Sequence, residues 1–129
     1  MKYLKPIRLL LLLCLFAVVA KSQEIVEKAP DTVKKIILTT YYAKKFEGRR
    51  TTSGERYRSS KFTAAHRTLP FGTIIKVKNL RTGKTVEVKV NDRGPFSKKF
   101  SLDISRAAAQ ALGIYRLGYA RVEIAYVLR

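Results

Sequence analysis

The chain has 129 residues, a size that favours one compact domain. Its 27 Lys and Arg residues outnumber its 9 Asp and Glu residues, and the net charge of +18 attracts polyanions such as nucleic acid, anionic lipid headgroups or an acidic cell-wall polymer. A single histidine and a single cysteine leave too few ligands for a tetrahedral metal site, so neither a metal nor another cofactor is predicted.

The first 22 residues have the layout of a secretory signal peptide. A basic start, MKYLKPIR, runs into an apolar stretch, LLLLLCLFAVVA, and small residues precede Gln23. About a dozen apolar residues are too few to span a membrane, so no stable insertion is expected after cleavage. Cys14 lies inside the stretch and follows Leu13, where a bacterial lipoprotein has a small residue, which disfavours a lipid anchor. We predict export to the periplasm or cell envelope.

Residues 23–35 are polar and are predicted to form a linker to a domain at residues 36–129. IILTTYYA, which begins at Ile36, is rich in β-branched and aromatic residues and predicts a strand. TIIKVKNL and TVEVKV alternate apolar and charged residues, and the glycine-containing turn at residues 81–84 predicts that they form a hairpin.

A short helix is predicted between these strands and the last one. Ser105 is a suitable cap, Arg106 to Leu112 favour a helix, and Gly113 ends it. RVEIAYVL then predicts a strand that places on one face Val122, Ile124, Tyr126 and Leu128. Several short strands in one small domain favour a closed β-barrel, because closure removes exposed edges.

Carboxylates are the remaining candidates for chemistry, since a lone histidine, His66, is more often structural. Glu87 and Glu123 lie on the polar faces of alternating strands and are expected to be solvated. Asp92 ends a valine-rich strand just before the turn residues Gly94 and Pro95. A rigid strand end is a common position for a functional residue.

From about residue 41 to residue 127 the sequence resembles the rare lipoprotein A family. The matching segments are FEGRRTTSGERY, FTAAHRTLPFGTIIKVKNLRTGKTVEVKVNDRGPF, LDISRAAAQALGI and GYARVEI. The resemblance implies a mainly β fold, a six-stranded double-psi β-barrel with one or two short helices. It also implies a lytic transglycosylase that cuts the β-1,4 bond between N-acetylmuramic acid and N-acetylglucosamine of peptidoglycan and leaves 1,6-anhydro ends.

The resemblance also implies the site. Asp92 of NDRGP, His66 of TAAH and Glu55 of SGE match the positions that the family uses for catalysis. Asp103 of LDIS matches an acidic motif shared with expansin-like relatives, and it is predicted to bind substrate together with Tyr42, Arg93 and Thr63. Tyr41-Tyr42-Ala43 replaces the Trp-Tyr-Gly motif that is common in the family.

Our hypothesis for the reaction makes Asp92 the acid and base, which requires a raised pKa on binding. Because a nearby guanidinium favours the ionised form, we expect Arg93 to point away, toward the backbone or Asp103. His66 and Glu55 would orient the sugar or share the proton.

Two alternatives remain at this stage. One is a non-catalytic module that binds cell-wall polysaccharide, as expansin-like and barwin-like barrels do. The other is a cationic protein that binds anionic polymers without glycan specificity. The predicted partner is the peptidoglycan glycan strand. Export disfavours nucleic acid as the intended partner, and a monomer is expected.

Overall fold

The computed structural model describes residues 31–128, which contain six strands and two short helices. The predicted signal peptide, Cys14 and most of the predicted linker lie outside the described residues. The strands are β1 (Thr32–Tyr41), β2 (Thr63–Ala65), β3 (Ile74–Asn79), β4 (Thr85–Asp92), β5 (Leu102–Ile104) and β6 (Ala120–Val127). A 3-10 helix spans Lys44–Phe46, and the α-helix α1 spans Arg106–Leu112.

The strands close into a barrel in the order β1-β5-β2-β4-β3-β6. The long strands pair antiparallel, β1 with β6, β6 with β3 and β3 with β4. The short strands complete the circle through parallel pairs, β1 with β5 and β2 with β4, and an antiparallel pair of β2 with β5. The predicted mainly β, six-stranded barrel with one or two short helices is confirmed, as is the β3–β4 hairpin.

Alternation along the strands fills the interior of the barrel. The three valines of β4 at positions 86, 88 and 90 are all buried, as are the inward residues of β3 and β6. Removal of such a side chain from water contributes roughly 1.5–3 kcal/mol. The prediction for the last strand was wrong at one residue, because β6 ends at Val127 and Leu128 is 56% exposed.

β1 begins at Thr32, four residues before the predicted Ile36, so the end of the predicted linker at residue 35 was wrong. The ladder with β6 runs without interruption from Thr32 opposite Val127 to Thr39 opposite Ala120. Backbone hydrogen bonds form this ladder and do not depend on the side chains, so Lys34 and Lys35 do not prevent it. Lys35 is thereby placed opposite the core residue Ile124.

Helix α1 has the predicted ends. The Ser105 hydroxyl accepts a hydrogen bond from the Ala108 N–H at 3.3 Å, and Gly113 ends the helix with φ +79°. The Asn79 side-chain amide donates to the Leu112 carbonyl at 3.0 Å in the interior. The buried face of α1, which includes Ala108 and Leu112, packs into the barrel core.

Candidate active site

Strand β2 brings two acidic residues to the same row of the sheet. Ala65 is the register partner of Asp92 on β4 and of Asp103 on β5, and a bulge between Ala64 and Ala65 shifts the β2–β4 register at this point. Adjacent strands lie about 4.8 Å apart, so the backbones of Asp92 and Asp103 are separated by roughly 10 Å. Ala65 packs against a small aromatic cluster that contains Tyr42 and Tyr57.

The Asp92 carboxylate accepts four hydrogen bonds. Its Oδ1 atom accepts from the Thr52 N–H and hydroxyl, both at 2.9 Å, and from the Arg93 N–H at 2.8 Å. Its Oδ2 atom accepts from the Tyr42 hydroxyl at 2.7 Å. Burial raises the pKa of Asp92, but these hydrogen bonds outweigh burial and hold the pKa below its ordinary value. Asp92 is therefore firmly ionised.

Asp103 has the opposite surroundings. Its Oδ1 atom is buried and has no hydrogen-bond partner among the described residues. Burial, and then the negative charge of Asp92, raise the pKa of Asp103 to about 6. Asp103 is therefore the carboxyl group at this site that carries a proton in mildly acidic solution.

Tyr42, which donates to Asp92, is held in place by two aromatic neighbours. Its ring stacks on Tyr57 with centroids 4.3 Å apart, and Phe46 meets its edge at 5.9 Å. Burial and the bond to Asp92 raise the pKa of Tyr42 far above its ordinary value, so it remains a hydrogen-bond donor. Only 8% of Tyr42 is exposed, which leaves little of the ring for the predicted contact with a sugar.

Glu55 is held by two partners, the Lys89 ammonium at 3.0 Å and the Asn91 side-chain amide at 3.1 Å. The bonds from Asn91 and Lys89 lower its pKa. The Glu55 carbonyl also accepts from the N–H and hydroxyl of Thr51, which closes the turn that presents Thr52. The structure thus places Glu55 where it fixes the loop over Asp92.

His66 lies beside Asp92 through the backbone, since its N–H donates to the Asp92 carbonyl at 3.1 Å. Its ring atom Nδ1 accepts from the N–H groups of Thr68 and Leu69, both at 3.1 Å, which assigns the ring proton to Nε2. Burial lowers the pKa of His66, and the charges of Lys35, Arg67 and Arg93 lower it further. The imidazole is therefore neutral and closes a turn.

No side-chain hydrogen bond joins Glu55, His66 and Asp92 to one another within residues 31–128. The structure instead brings Asp92 together with Asp103 and Tyr42. Glu55 and His66 border this pair from two different loops.

Arg93 turns toward the backbone, as predicted. Its Nη1 atom donates to the carbonyls of His66 at 3.2 Å and Leu69 at 2.7 Å, and its guanidinium lies 4.0 Å from the centre of the Phe71 ring. Thr63, the remaining predicted substrate contact, is buried at 6% exposure, and its hydroxyl has no partner among the described residues.

Sequence reasoning missed two residues of this region. Thr52 makes two of the four bonds to Asp92, yet nothing in the polar loop RTTSGE distinguishes it from its neighbours. Phe96 is 88% exposed, close in the chain to Asp92. A partial signal for Phe96 was present, because the turn residues Gly94 and Pro95 end the strand before it. Gly94 has φ +128°, a conformation that other residues rarely adopt.

An open groove of about 630 Å³ lies elsewhere, at the end of the barrel formed by the 69–74 segment and the end of β6. Neither Asp92 nor Asp103 lines it. Residues 31–128 contain no cluster of three or more His, Cys, Asp or Glu residues suited to a metal ion. Over the same range, no helix is long and apolar enough to cross a membrane.

Fold and site together define a double-psi β-barrel domain with two acidic residues flanking one short strand. The family model described as "Lytic transglycolase", a model of this barrel, matches residues 35–124, and the chain belongs to that family.

The descriptions of similar proteins are consistent with this family. "Probable endolytic peptidoglycan transglycosylase RlpA" of Treponema pallidum is 52% identical over 85 residues, which cover 66% of this chain and 27% of the relative. A protein of the same description from Synechocystis is 48% identical over 98 residues, or 74% of this chain and 30% of the relative. "Endolytic peptidoglycan transglycosylase RlpA" of Neisseria meningitidis is 47% identical over 89 residues, covering 69% and 37%. The chain thus spans well under half the length of these relatives.

Solved structures with the same fold are more distant in sequence. A Streptomyces papain inhibitor superposes with a TM-score of 0.60 at 23% identity, over 74% of this chain and 96% of the inhibitor. An expansin of Clavibacter michiganensis, solved with cellohexaose, superposes with a TM-score of 0.59 at 19% identity, over 74% and 51%. At this identity the likeness shows the barrel fold alone.

Proposed function

We propose that the protein is an endolytic peptidoglycan lytic transglycosylase. It cleaves the β-1,4 bond between N-acetylmuramic acid and N-acetylglucosamine and leaves a 1,6-anhydro sugar. Family membership and the descriptions of the relatives support this assignment. The observation that carries it is the Asp92–Asp103 pair, because a protonated carboxyl group can supply the acid and an ionised one can stabilise the developing positive charge in glycosidic bond cleavage.

In this mechanism Asp103 is the acid. Its proton passes to the glycosidic oxygen as the bond from that oxygen to the anomeric carbon breaks, so the leaving sugar departs as an alcohol. Asp103 is suited to this step because its pKa of about 6 keeps it protonated in mildly acidic solution. This assignment replaces the hypothesis that Asp92 has a raised pKa, since four hydrogen bonds hold Asp92 ionised.

The ionised Asp103 then acts as the base. It takes the proton of the muramic acid 6-hydroxyl while that oxygen bonds to the anomeric carbon, which closes the anhydro ring. One proton has moved from the 6-hydroxyl to the leaving oxygen, and Asp103 is protonated again. Asp92 stays ionised throughout and stabilises the positive charge that develops at the anomeric carbon.

Glu55 and His66 act as positioning residues in this proposal. Glu55 holds the loop that presents Thr52 to Asp92, and His66 closes the turn whose carbonyls bind Arg93. Because peptidoglycan lies outside the cytoplasmic membrane, the predicted signal peptide and location in the periplasm or cell envelope fit this substrate.

The test is cleavage of purified peptidoglycan, followed by mass spectrometry of the products for anhydromuramic ends. We expect product from the parent protein and a loss of at least about 100-fold in Asp103→Asn, in line with removal of a general acid. Asp92→Asn should lose a similar factor. Glu87→Gln, which changes an exposed carboxylate on the outside of β4, is the matched control and should retain full activity.

Binding to peptidoglycan without any anhydro product from the parent, at every pH tested, would favour the non-catalytic polysaccharide-binding module instead. Full activity in Asp103→Asn with loss in Asp92→Asn would return the acid role to Asp92.

A further inference from the structure

The segment between β4 and β5 connects the two strands that carry Asp92 and Asp103. We call residues 93–101 the β4–β5 loop. Asp92 is the last residue of β4 and Asp103 is the second residue of β5, so every residue of this loop is within five positions of one of them. The β4–β5 loop therefore borders the candidate active site.

Arg67 holds the middle of this loop. Its Nε atom donates to the Pro95 carbonyl at 2.8 Å. Its Nη2 atom donates to the Phe100 carbonyl at 2.6 Å and also to the Ser97 carbonyl. Because a guanidinium group is planar and always charged, three such bonds fix the backbone in one geometry.

The far end of the β4–β5 loop is anchored as well. The Phe100 ring packs against the Tyr119 ring with centroids 5.7 Å apart, and the Ser101 N–H donates to the Leu38 carbonyl at 3.0 Å. The backbone is therefore held on both sides of Phe96.

The Phe96 ring itself points into solvent. It is 88% exposed, whereas no other large hydrophobic side chain of residues 31–128 is more than 56% exposed. Single exposed apolar side chains are common on protein surfaces. Phe96 differs from them because the fixed backbone holds its ring away from the barrel. One ring edge lies 3.7 Å from the point that a Cβ of Gly94 would occupy, so the ring leans back along the chain toward Asp92.

We propose that Phe96 is a sugar-binding platform, whose ring stacks on a pyranose of the glycan strand next to the bond being cut, and that Arg67 is the residue that positions it. This inference rests on the proposed function. The C–H groups on one face of a pyranose are apolar and match a flat aromatic ring, while the polar groups at the sugar edge stay in water. Tyr42, the ring predicted for such a contact, is only 8% exposed and cannot offer its face.

The spacing along the chain fits this role. Four residues separate Phe96 from Asp92, and four residues of extended chain span at most about 14 Å. The turn at Gly94, where φ is +128°, shortens that distance. A sugar bound on the Phe96 ring is therefore near the carboxyl pair.

A fluorescence experiment tests the contact directly. The chain contains no tryptophan, so Phe96→Trp in the full-length protein introduces a single fluorophore at the proposed platform. Titration with glycan strands should shift its emission to shorter wavelength and saturate, because a stacked sugar removes the indole from water. Leu80→Trp is the matched control, since Leu80 is also exposed but lies at the opposite end of the β3–β4 hairpin from Asp92. Its emission should not change.

Kinetics test whether the ring contributes to substrate binding. Phe96→Ala should raise the KM for formation of anhydro ends by about tenfold, which corresponds to about 1.4 kcal/mol, with little change in kcat. Phe96→Leu keeps an apolar side chain but loses the flat ring, so it should behave as Phe96→Ala does. Phe96→Tyr keeps the ring and should stay close to the parent, as should the control Leu80→Ala.

The role of Arg67 is tested with Arg67→Lys, which keeps the positive charge but loses the planar set of donors. Alone, it should raise KM by roughly three- to tenfold, because the platform is no longer held. Combined with Phe96→Ala, it should cause no further rise. A purely structural role would raise KM equally in both backgrounds and would contradict the positioning role.

Unchanged emission of Phe96→Trp at glycan concentrations that saturate binding would overturn the inference, and so would a Phe96→Leu variant with the parent's KM. An emission shift on vesicles of anionic phospholipid, but not on glycan, would assign the ring to a membrane surface and also overturn it. An emission shift on glycan together with a parent that never forms anhydro ends would overturn the proposed function and leave this inference standing.

Discussion

Asp92 and Asp103 are the same residue type on nearly neighbouring strands, and their surroundings make them different: hydrogen-bond donors lower the pKa of Asp92, whereas burial raises that of Asp103. Each bond to a charged group contributes about 1.5–3 kcal/mol, so the four donors around Asp92 stabilise its ionised form strongly. Asp103 has a buried oxygen without a donor and faces the charge of Asp92. The order in which the pair binds protons is therefore set by the donors Tyr42, Thr52 and Arg93 and by the burial of Asp103.

The pH dependence of cleavage follows from this order. Asp103 must be protonated to act as the acid, so kcat/KM should fall as pH rises through about 6. In Asp92→Asn the negative charge that raises the pKa of Asp103 is removed, so the fall in the residual activity should move to lower pH. Rates measured from pH 4 to 9 on both proteins would show this. A descending limb that stays at the same pH in the variant would contradict the coupling.

The raised pKa of Asp103, which suits the acid role, should lower the stability of the folded protein at neutral pH. The pKa of Asp103 rises from its ordinary 3.8 to about 6 on folding, so the native state binds the extra proton between these values and stability falls as pH rises through that window. Asp103→Asn removes this loss and should stabilise the protein at pH 8 by up to about 3 kcal/mol, with a smaller gain at pH 4. Thermal unfolding at both pH values measures it. A variant less stable than the parent at pH 8 would refute the burial cost.

The position of Asp92 at a strand end could be predicted from its sequence, because the valines and the Gly-Pro turn are local signals. Its protonation state could not. Thr52 lies 40 residues away and Tyr42 lies 50 away, and only the closed barrel brings them to the carboxylate. The same reason explains why Asp103, rather than Asp92, has the raised pKa. The resemblance implies a catalytic His66, whereas the two backbone N–H groups that bond to its Nδ1 atom could not be read from the sequence.

At the level of elements, the predictable strands are the long ones, β1, β3, β4 and β6, because composition or alternation is visible over six or more residues. β3 and β4 alternate regularly and share a short turn, so their pattern predicts a hairpin. β2 and β5 have only three residues each and pair with distant strands, in part in parallel. Three residues carry no measurable period, so these two strands had no signal of their own, although they form the row that contains Ala65 and Asp103.

The cap of α1 links these short strands to the helix, and its contribution can be measured. The Ser105 N–H bonds to the Thr63 carbonyl of β2 while its hydroxyl caps the helix. Ser105→Ala keeps the first bond and loses the second, so it should cost about 1 kcal/mol of unfolding free energy. Denaturant unfolding measures the cost, with the exposed Ser60→Ala as control. An unchanged midpoint would mean that the hydroxyl does not stabilise the helix.

For the molecule as a whole, the arrangement of charge matters more than its sum. The net charge of +18 includes Lys76 and Lys78 of β3, whose register partners are Glu87 and Glu123. It also includes cations between β1 and β2, such as Lys45 and Arg49, that have no carboxylate partner among the described residues. The core is formed by the apolar interior of the barrel and by α1, so the outer cations have no part in it. The cations between β1 and β2 flank Thr52, which bonds to Asp92, and they repel one another without contributing to the core. Such an arrangement is expected of a surface that binds an anionic partner.

Salt should weaken the binding of the protein to cell walls without changing its rate at saturating substrate. Ions reduce the screening length from about 10 Å at 0.1 M to about 3 Å at 1 M, so binding to isolated cell walls, measured by co-sedimentation, should weaken steeply with salt in the parent. Lys45→Gln/Arg49→Gln should flatten this dependence more than Lys76→Gln/Lys78→Gln does. The rate at saturating substrate should change little, because the bonds that hold Asp92 are short and direct. A nonionic osmolyte at matched osmolality is the control. Undiminished binding of the parent at 1 M salt would show that neutral contacts with the glycan, such as those available to the exposed Phe96 ring, hold the protein on its substrate.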